Sequence, residues 1–283
     1  MNMIEKLRGS AIACGNCACM GIDPAFKDAA AAVAFFSELL DSMKAHSLFP
    51  AAFKPNLGYF SCLDRPLEGL FDGSRALASI LSLVHQKFPL VPVILDSKRA
   101  DIARSSLNYA IEAFDCWKAD MVTVSGYMGE DSVMPFAFQG RGAYILVRTS
   151  NPGGKDLQNL EMKDSDMLFE HVASNVIGYN DKARKQGSVF GAVLGATNLS
   201  ELEDAARLFA SHEIPLLIPG VGSQGGSAPE VLAALERAGY EKALARVNSS
   251  SRLTHPWKGE DVPSDAIPMC LGNIEKLLDE CRC

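Results

Sequence analysis

No run of basic residues appears anywhere in the chain. Its 283 residues carry 27 Lys and Arg against 34 Asp and Glu, a formal net charge of −7. Binding along a phosphate backbone needs a basic face, so nucleic acid is not expected as a partner. A small phosphate ester needs only one local anion pocket, which an acidic protein can still supply. No apolar run reaches the roughly 18 residues of a membrane span. Residues 1–10 lack the apolar stretch of a secretory signal, so a cytoplasmic, intracellular protein is expected, with organelle targeting left open. Metal-site spacing is also missing. The five His residues are scattered as singles. Cys14, Cys17 and Cys19 form a Cys-x-x-Cys-x-Cys group, but no second Cys or His pair sits at zinc spacing. That group reads either as a metal or electron-relay site or as small apolar thiols packed around the first strand, reduced in a cytosol.

What is present is a large apolar fraction. Aliphatic and aromatic residues plus Cys make up 48% of the chain, enough for a large core. Short apolar, often β-branched runs fall at residues 18–22, 51–54, 91–96, 121–124, 143–147, 190–194, 216–218 and 244–247. Buried parallel strands have this pattern. Helical patterns separate most of them, at 30–45, 73–86, 102–113, 166–185, 199–210 and 229–238, and a further one at 273–281 follows the last strand. Residues 151–164 are polar and read as a long loop. There is no internal repeat and no low-complexity linker. Eight strands alternating with helices predict one TIM (β/α)8 barrel over residues 1–283, with a doubly wound open sheet as the rival. Residues 265–283 read either as a closing helix or as the start of a linker.

Active sites of such barrels lie at the C-terminal ends of the strands. The polar residues found there are Asp23, Lys54, Asp96, Lys98, Ser125, Thr149, Ser150, Thr197, Gly220 to Gln224, and Asn248 to Arg252. A helix N-cap or a solvated loop would account for Thr197 and Ser125. It accounts poorly for a Lys and an Asp that both close strongly apolar strands. Residues i and i+2 of a strand share a face. Asp96 and Lys98 would therefore both face the pocket if the third strand runs that far. With Lys54 they would form a partly desolvated Lys–Asp–Lys array, in which opposite charges keep each group ionised. An ammonium beside a reacting carbon can stabilise a carbanion and then protonate it. The glycine-rich segment 218–226 after the seventh strand and Arg252 after the eighth occupy the frequent phosphate position of this fold.

These residues resemble the orotidine 5′-phosphate decarboxylase family over nearly the whole chain. The resemblance is carried by Gly21-Ile22-Asp23-Pro24, Phe53-Lys54-Pro55-Asn56, Asp96-Ser97-Lys98-Arg99-Ala100-Asp101-Ile102, Leu146-Val147-Arg148-Thr149-Ser150-Asn151-Pro152-Gly153, the 218–226 loop and Asn248-Ser249-Ser250-Ser251-Arg252. Length and the Thr-Ser-Asn-Pro-Gly segment are similar to the longer subgroup of that family. The resemblance implies decarboxylation of orotidine 5′-monophosphate to UMP without metal or cofactor. It implies that Asp23 and Lys54 hold ribose hydroxyls, that Lys54, Asp96, Lys98 and Asp101 form a charged tetrad, and that Lys98 protonates C6 of the pyrimidine. Ser150 should bond the pyrimidine amide. Gln224, Gly222, Ser223 and Arg252 should hold the 5′-phosphate, with Ser251 a further substrate contact. The family pattern further implies a homodimer in which Asp101 and Ile102 serve the partner's site. It also leaves open a fusion to orotate phosphoribosyltransferase, as in a bifunctional UMP synthase. Where some members carry a Tyr on the phosphate loop, Gly225 and Gly226 follow Gln224 here. Two alternatives stand. One is a Mg-dependent sugar-phosphate lyase of the same superfamily, such as a hexulose-phosphate synthase, which shares D-x-K-x-x-D but has a carboxylate where this chain has Lys54. The other is a barrel repurposed as a binding module, which the intact tetrad opposes.

Overall fold

A computed structural model of the chain describes residues 2–26, 28–163, 166–222, 224–257 and 261–283. Eight strands form one sheet: β1 (Ala18–Ile22), β2 (Ala52–Pro55), β3 (Ile94–Arg99), β4 (Met121–Val124), β5 (Gly142–Arg148), β6 (Val189–Leu194), β7 (Leu216–Ile218) and β8 (Ala245–Ser249). Their order is β2-β1-β8-β7-β6-β5-β4-β3, and every neighbouring pair is parallel. Parallel bridges Phe53–Val93 and Asn56–Asp96 join β2 to β3, and the Phe53 N–H donates to the Pro92 carbonyl at 3.0 Å. The sheet therefore closes into a barrel, and the open-sheet alternative falls away.

The helices are α1 (Met3–Cys14), α2 (Ala29–Ala45), α3 (Leu57–Ser61), α4 (Asp72–Lys87), α5 (Ala103–Ile111), α6 (Glu130–Val133), α7 (Leu168–Arg184), α8 (Leu199–Ala210), α9 (Ala228–Arg237), α10 (Ser251–Thr254) and α11 (Ala266–Glu280). The sequence pattern locates the long ones to within a few residues. It misses α1, whose Asn2 and Glu5 form a reciprocal capping box. This helix lies across the N-terminal end of the barrel. Ser10 Oγ donates to the Ala51 carbonyl, Lys6 Nζ meets Asp120 Oδ1 at 2.6 Å, and Arg246 Nη2 donates to the Leu7 carbonyl. The bottom is thus stoppered and the site is left to the opposite rim. The last helix begins well before the expected residue 273, and Pro268 sits in its first turn, where no N–H is needed. It packs on α2 and α10. The 151–164 loop holds a 3-10 turn, Pro152–Asp156, and α5 runs into a π turn, Glu112–Cys116.

Four of the cysteines, Cys17, Cys19, Cys270 and Cys281, are buried. Cys17 and Cys19 are fully buried on and beside β1, and burial pushes the Cys19 thiol up to about 12. All eight are free thiols. Among the described residues no group of three or more His, Cys, Asp or Glu is placed to hold a metal ion. No helix among the described residues is long and apolar enough to cross a membrane.

Candidate active site

The C-terminal rim encloses a cavity of about 460 Å³ whose walls include Asp23, Lys54, Asp96, Lys98, Thr123, Ser150, Gln224 and Ser251. At its base Lys54 Nζ donates to Asp96 Oδ2 at 2.7 Å, and Lys98 Nζ donates to Asp96 Oδ1 at 2.5 Å. Both Lys54 and Asp96 are buried, whereas the Lys98 side chain is 50% exposed. Burial alone would raise the Asp96 carboxyl, but the two ammonium groups outweigh it and hold the group well below the usual carboxylate range. Burial likewise pulls Lys54 down, and Asp96 and Asp23 more than reverse this, so its ammonium is held above the usual lysine value. Asp23 behaves differently. Desolvation dominates and raises it, with Lys54 and Ser250 opposing, and its Oδ1 is buried with no hydrogen-bond partner.

The expected array is assembled, though by a different backbone. The third strand reaches Arg99 instead of ending at 96, and a bulge interrupts its pairing with β4. Lys98 itself has a left-handed backbone, φ 48°. Its ammonium reaches Asp96 from a bulge and not by simple strand alternation.

The segment after β7 shows two close approaches. Gly220 (φ 102°) brings its α-carbon so near Ser150 that an added Cβ would lie 2.9 Å from the Ser150 Cβ. A Cβ on Gly222 (φ 93°) would lie 2.8 Å from Arg252 Cδ. Arg252 does not line the main cavity. It is exposed and borders an adjoining crevice with Val221, Ser249 and Lys276. Among the described residues no carboxylate pairs with it. Ser223 lies outside the described residues. Asp101 and Ile102 also stand away from the cavity of their own chain. Asp101 Oδ1 accepts from the Ile102 N–H at 2.7 Å, at the start of α5, and Ile102 is 52% exposed.

Thr197 is not a helix cap. Its hydroxyl donates to the Ser150 carbonyl at 3.0 Å, while Asn198 caps α8. Ser125 has a turn role, accepting weakly from the Tyr127 N–H. Thr123 escaped the sequence reading as a site residue and hydrogen-bonds Asp96 from β4; Ser249, expected only as part of the 248–252 segment, presents a buried, unpartnered hydroxyl between the cavity and Arg252. A hydroxyl inside an otherwise apolar strand, Met121-Val122-Thr123-Val124, was the available signal for the first.

Known proteins share this architecture. The family model described as orotidine 5′-phosphate decarboxylase / HUMPS family matches residues 19–243. The orotidine 5′-phosphate decarboxylase of Paracidovorax citrulli is 39% identical over 266 residues, 89% of each chain. That of Verminephrobacter eiseniae is 38% identical over 297 aligned positions and covers 100% of both. Among solved structures, OMP decarboxylase of Leishmania donovani superposes with a TM-score of 0.78 at 29% identity, covering 99% of each chain. UMP synthase of the same organism gives 0.77 at 31% identity, over 98% of this chain and 56% of its own. With the family match running from the first strand to the threshold of the eighth, the chain belongs to the orotidine 5′-phosphate decarboxylase / HUMPS family.

Proposed function

We propose that the chain decarboxylates orotidine 5′-monophosphate to UMP, a step of pyrimidine biosynthesis, with Lys98 as the proton donor. The observation that carries this reading is the Lys54–Asp96–Lys98 array on the wall of the rim cavity. Loss of CO₂ from C6 leaves an electron pair in the plane of the ring, without π delocalisation. A fixed ammonium is the group that stabilises such a charge and fills the vacancy with a proton. Lys98 then regains a proton from solvent, to which its side chain is half open. Lys54 is too buried for that exchange and serves to keep Asp96 ionised and oriented.

Of the remaining candidates, Asp23, Ser150, Gln224 and Ser251 lie on the cavity wall, and the others follow the family resemblance. The unpartnered Asp23 Oδ1 suits a ribose hydroxyl, together with Lys54. Ser150, held by Thr197, suits the pyrimidine amide. Gln224, Gly222 with Ser223, Ser251 and Arg252 suit the 5′-phosphate end. Arg252, at the adjoining crevice, would turn toward the anion on binding. Binding energy from the phosphate, remote from the bond that breaks, would then be realised at the reacting carbon. Asp101 and Ile102, outside the lining of their own cavity, suit a homodimer in which they complete the partner's site. The match to just over half of a UMP synthase suits a decarboxylase unit that can also sit within a longer protein.

A Mg-dependent sugar-phosphate lyase is the competing chemistry within the same family. A buried ammonium at residue 54 opposes a divalent ion there. Incubation with orotidine 5′-monophosphate, followed by chromatography for UMP and detection of CO₂, tests the proposal. Stoichiometric release of both is expected, and no turnover would refute it.

A further inference from the structure

The bulge that carries Lys98 is closed by a single hydroxyl. Between the paired residues Leu95–Val122 and Arg99–Val124, three residues of β3 (Asp96, Ser97 and Lys98) stand opposite one residue of β4, Thr123. Backbone N–H groups in such a bulge lack the carbonyl partner that a regular ladder provides. Here Thr123 Oγ1 takes that place. It accepts from the N–H of Ser97 and from the N–H of Lys98, each at 3.0 Å. Its own proton goes to Asp96 Oδ1 at 2.9 Å, the same oxygen that accepts from Lys98 Nζ. Two acceptor lone pairs and one donor are the whole capacity of a hydroxyl, and all three are used. Thr123 is 1% exposed, so no water replaces these contacts without rearrangement.

We propose that Thr123 is a positioning residue for the Asp96–Lys98 pair. Its oxygen holds Lys98 in the left-handed conformation, φ 48°, from which the ammonium reaches both Asp96 and the cavity. A lysine adopts that backbone only under constraint. The two N–H contacts set where the side chain starts, and the O–H contact fixes the carboxylate at which it ends. The inference rests on the decarboxylase reading for its catalytic consequence, but the strut itself does not depend on it.

The experiment compares Thr123→Val, which keeps shape and loses the oxygen, with Thr123→Ser, which keeps the oxygen. For Thr123→Val, kcat should fall about a hundredfold, the scale of an ångström misplacement of a catalytic group, while UMP affinity stays as in the wild type. Thr123→Ser should recover most of that loss. Amide hydrogen exchange gives a readout independent of activity. The Ser97 and Lys98 amides should lose protection in Thr123→Val and keep it in Thr123→Ser. An unchanged kcat in Thr123→Val, an equal loss in both variants, or a loss carried by KM alone would overturn the positioning role. Equal amide protection in wild type and Thr123→Val would overturn the strut whatever the reaction. A wild type with no decarboxylase activity but with the expected exchange pattern would refute the decarboxylase reading and leave the strut standing.

Discussion

Lys54 Nζ sits 2.7 Å from Asp96 Oδ2, with the two side chains only 5% and 7% exposed. Placing a charge pair so deep costs desolvation that its own attraction does little more than offset. Such a pair is poor evidence for stability and better evidence for a site that needs two fixed charges. The same Asp96 also receives the half-exposed Lys98. One carboxylate thus links a buried lysine to a solvent-accessible one.

Removing one member of the buried pair leaves the other charge uncompensated. Lys54→Met should destabilise the fold by about 3 kcal/mol, the lower end for a broken buried pair because Lys98 still contacts Asp96. Lys54→Met combined with Asp96→Leu should recover most of the loss. Urea denaturation of the two variants checks this, and a double variant no more stable than the single one would contradict it.

The pH dependence has a definite sign. Asp96 is held below its unfolded value of about 3.9, so its contribution is present above that pH and is lost as pH falls through the lower folded value. Lys54 is held above its unfolded value of about 10.4, so its contribution is present below that pH and is lost as pH rises through the folded value. Between about pH 5 and 9 neither group titrates. The stability difference between wild type and Asp96→Asn should be flat over that window and shrink at more acid pH. A slope near neutrality in denaturation midpoints would show that the array is not locked.

Arg252 has no carboxylate partner among the described residues and stands beside Gly222. Arg252→Ala should mainly raise KM for orotidine 5′-monophosphate. With orotidine, which lacks the phosphate, wild type and variant should react alike. Steady-state kinetics on both substrates decide it, and an equal effect on both would remove Arg252 from the phosphate site.

Asp101 hydrogen-bonds the Ile102 N–H and does not line its own cavity. If it serves a partner subunit, mixing inactive Lys98→Ala and Asp101→Ala proteins should restore about a quarter of the sites, since half the dimers are mixed and one site in each is intact. Activity per site before and after subunit exchange is the measurement. No recovery despite proven heterodimers would place Asp101 in cis.

The barrel was legible because most strands are apolar runs too short for a helix and most long helices have an amphipathic period. Lys54, Asp96 and Lys98 were legible because charges that end apolar strands have few structural uses. The bulge was not, since nothing local in Ser97 or Lys98 announces a left-handed backbone, and its cause lies on β4 at Thr123. The helix Met3–Cys14 is less legible, although Asn2, Glu5 and the spacing of Ile4, Leu7 and Ala11 mark it. Arg252 shows the remaining limit. Its position after β8 follows from sequence, but the direction of a long exposed side chain does not.

Lys98 acting as proton donor without a divalent ion has a direct test. Protein stripped with EDTA should convert orotidine 5′-monophosphate to UMP at an unchanged rate, while Lys98→Ala, equally stripped, should bind UMP and turn nothing over. A strict Mg²⁺ requirement in the wild type, or full turnover by Lys98→Ala, would contradict it.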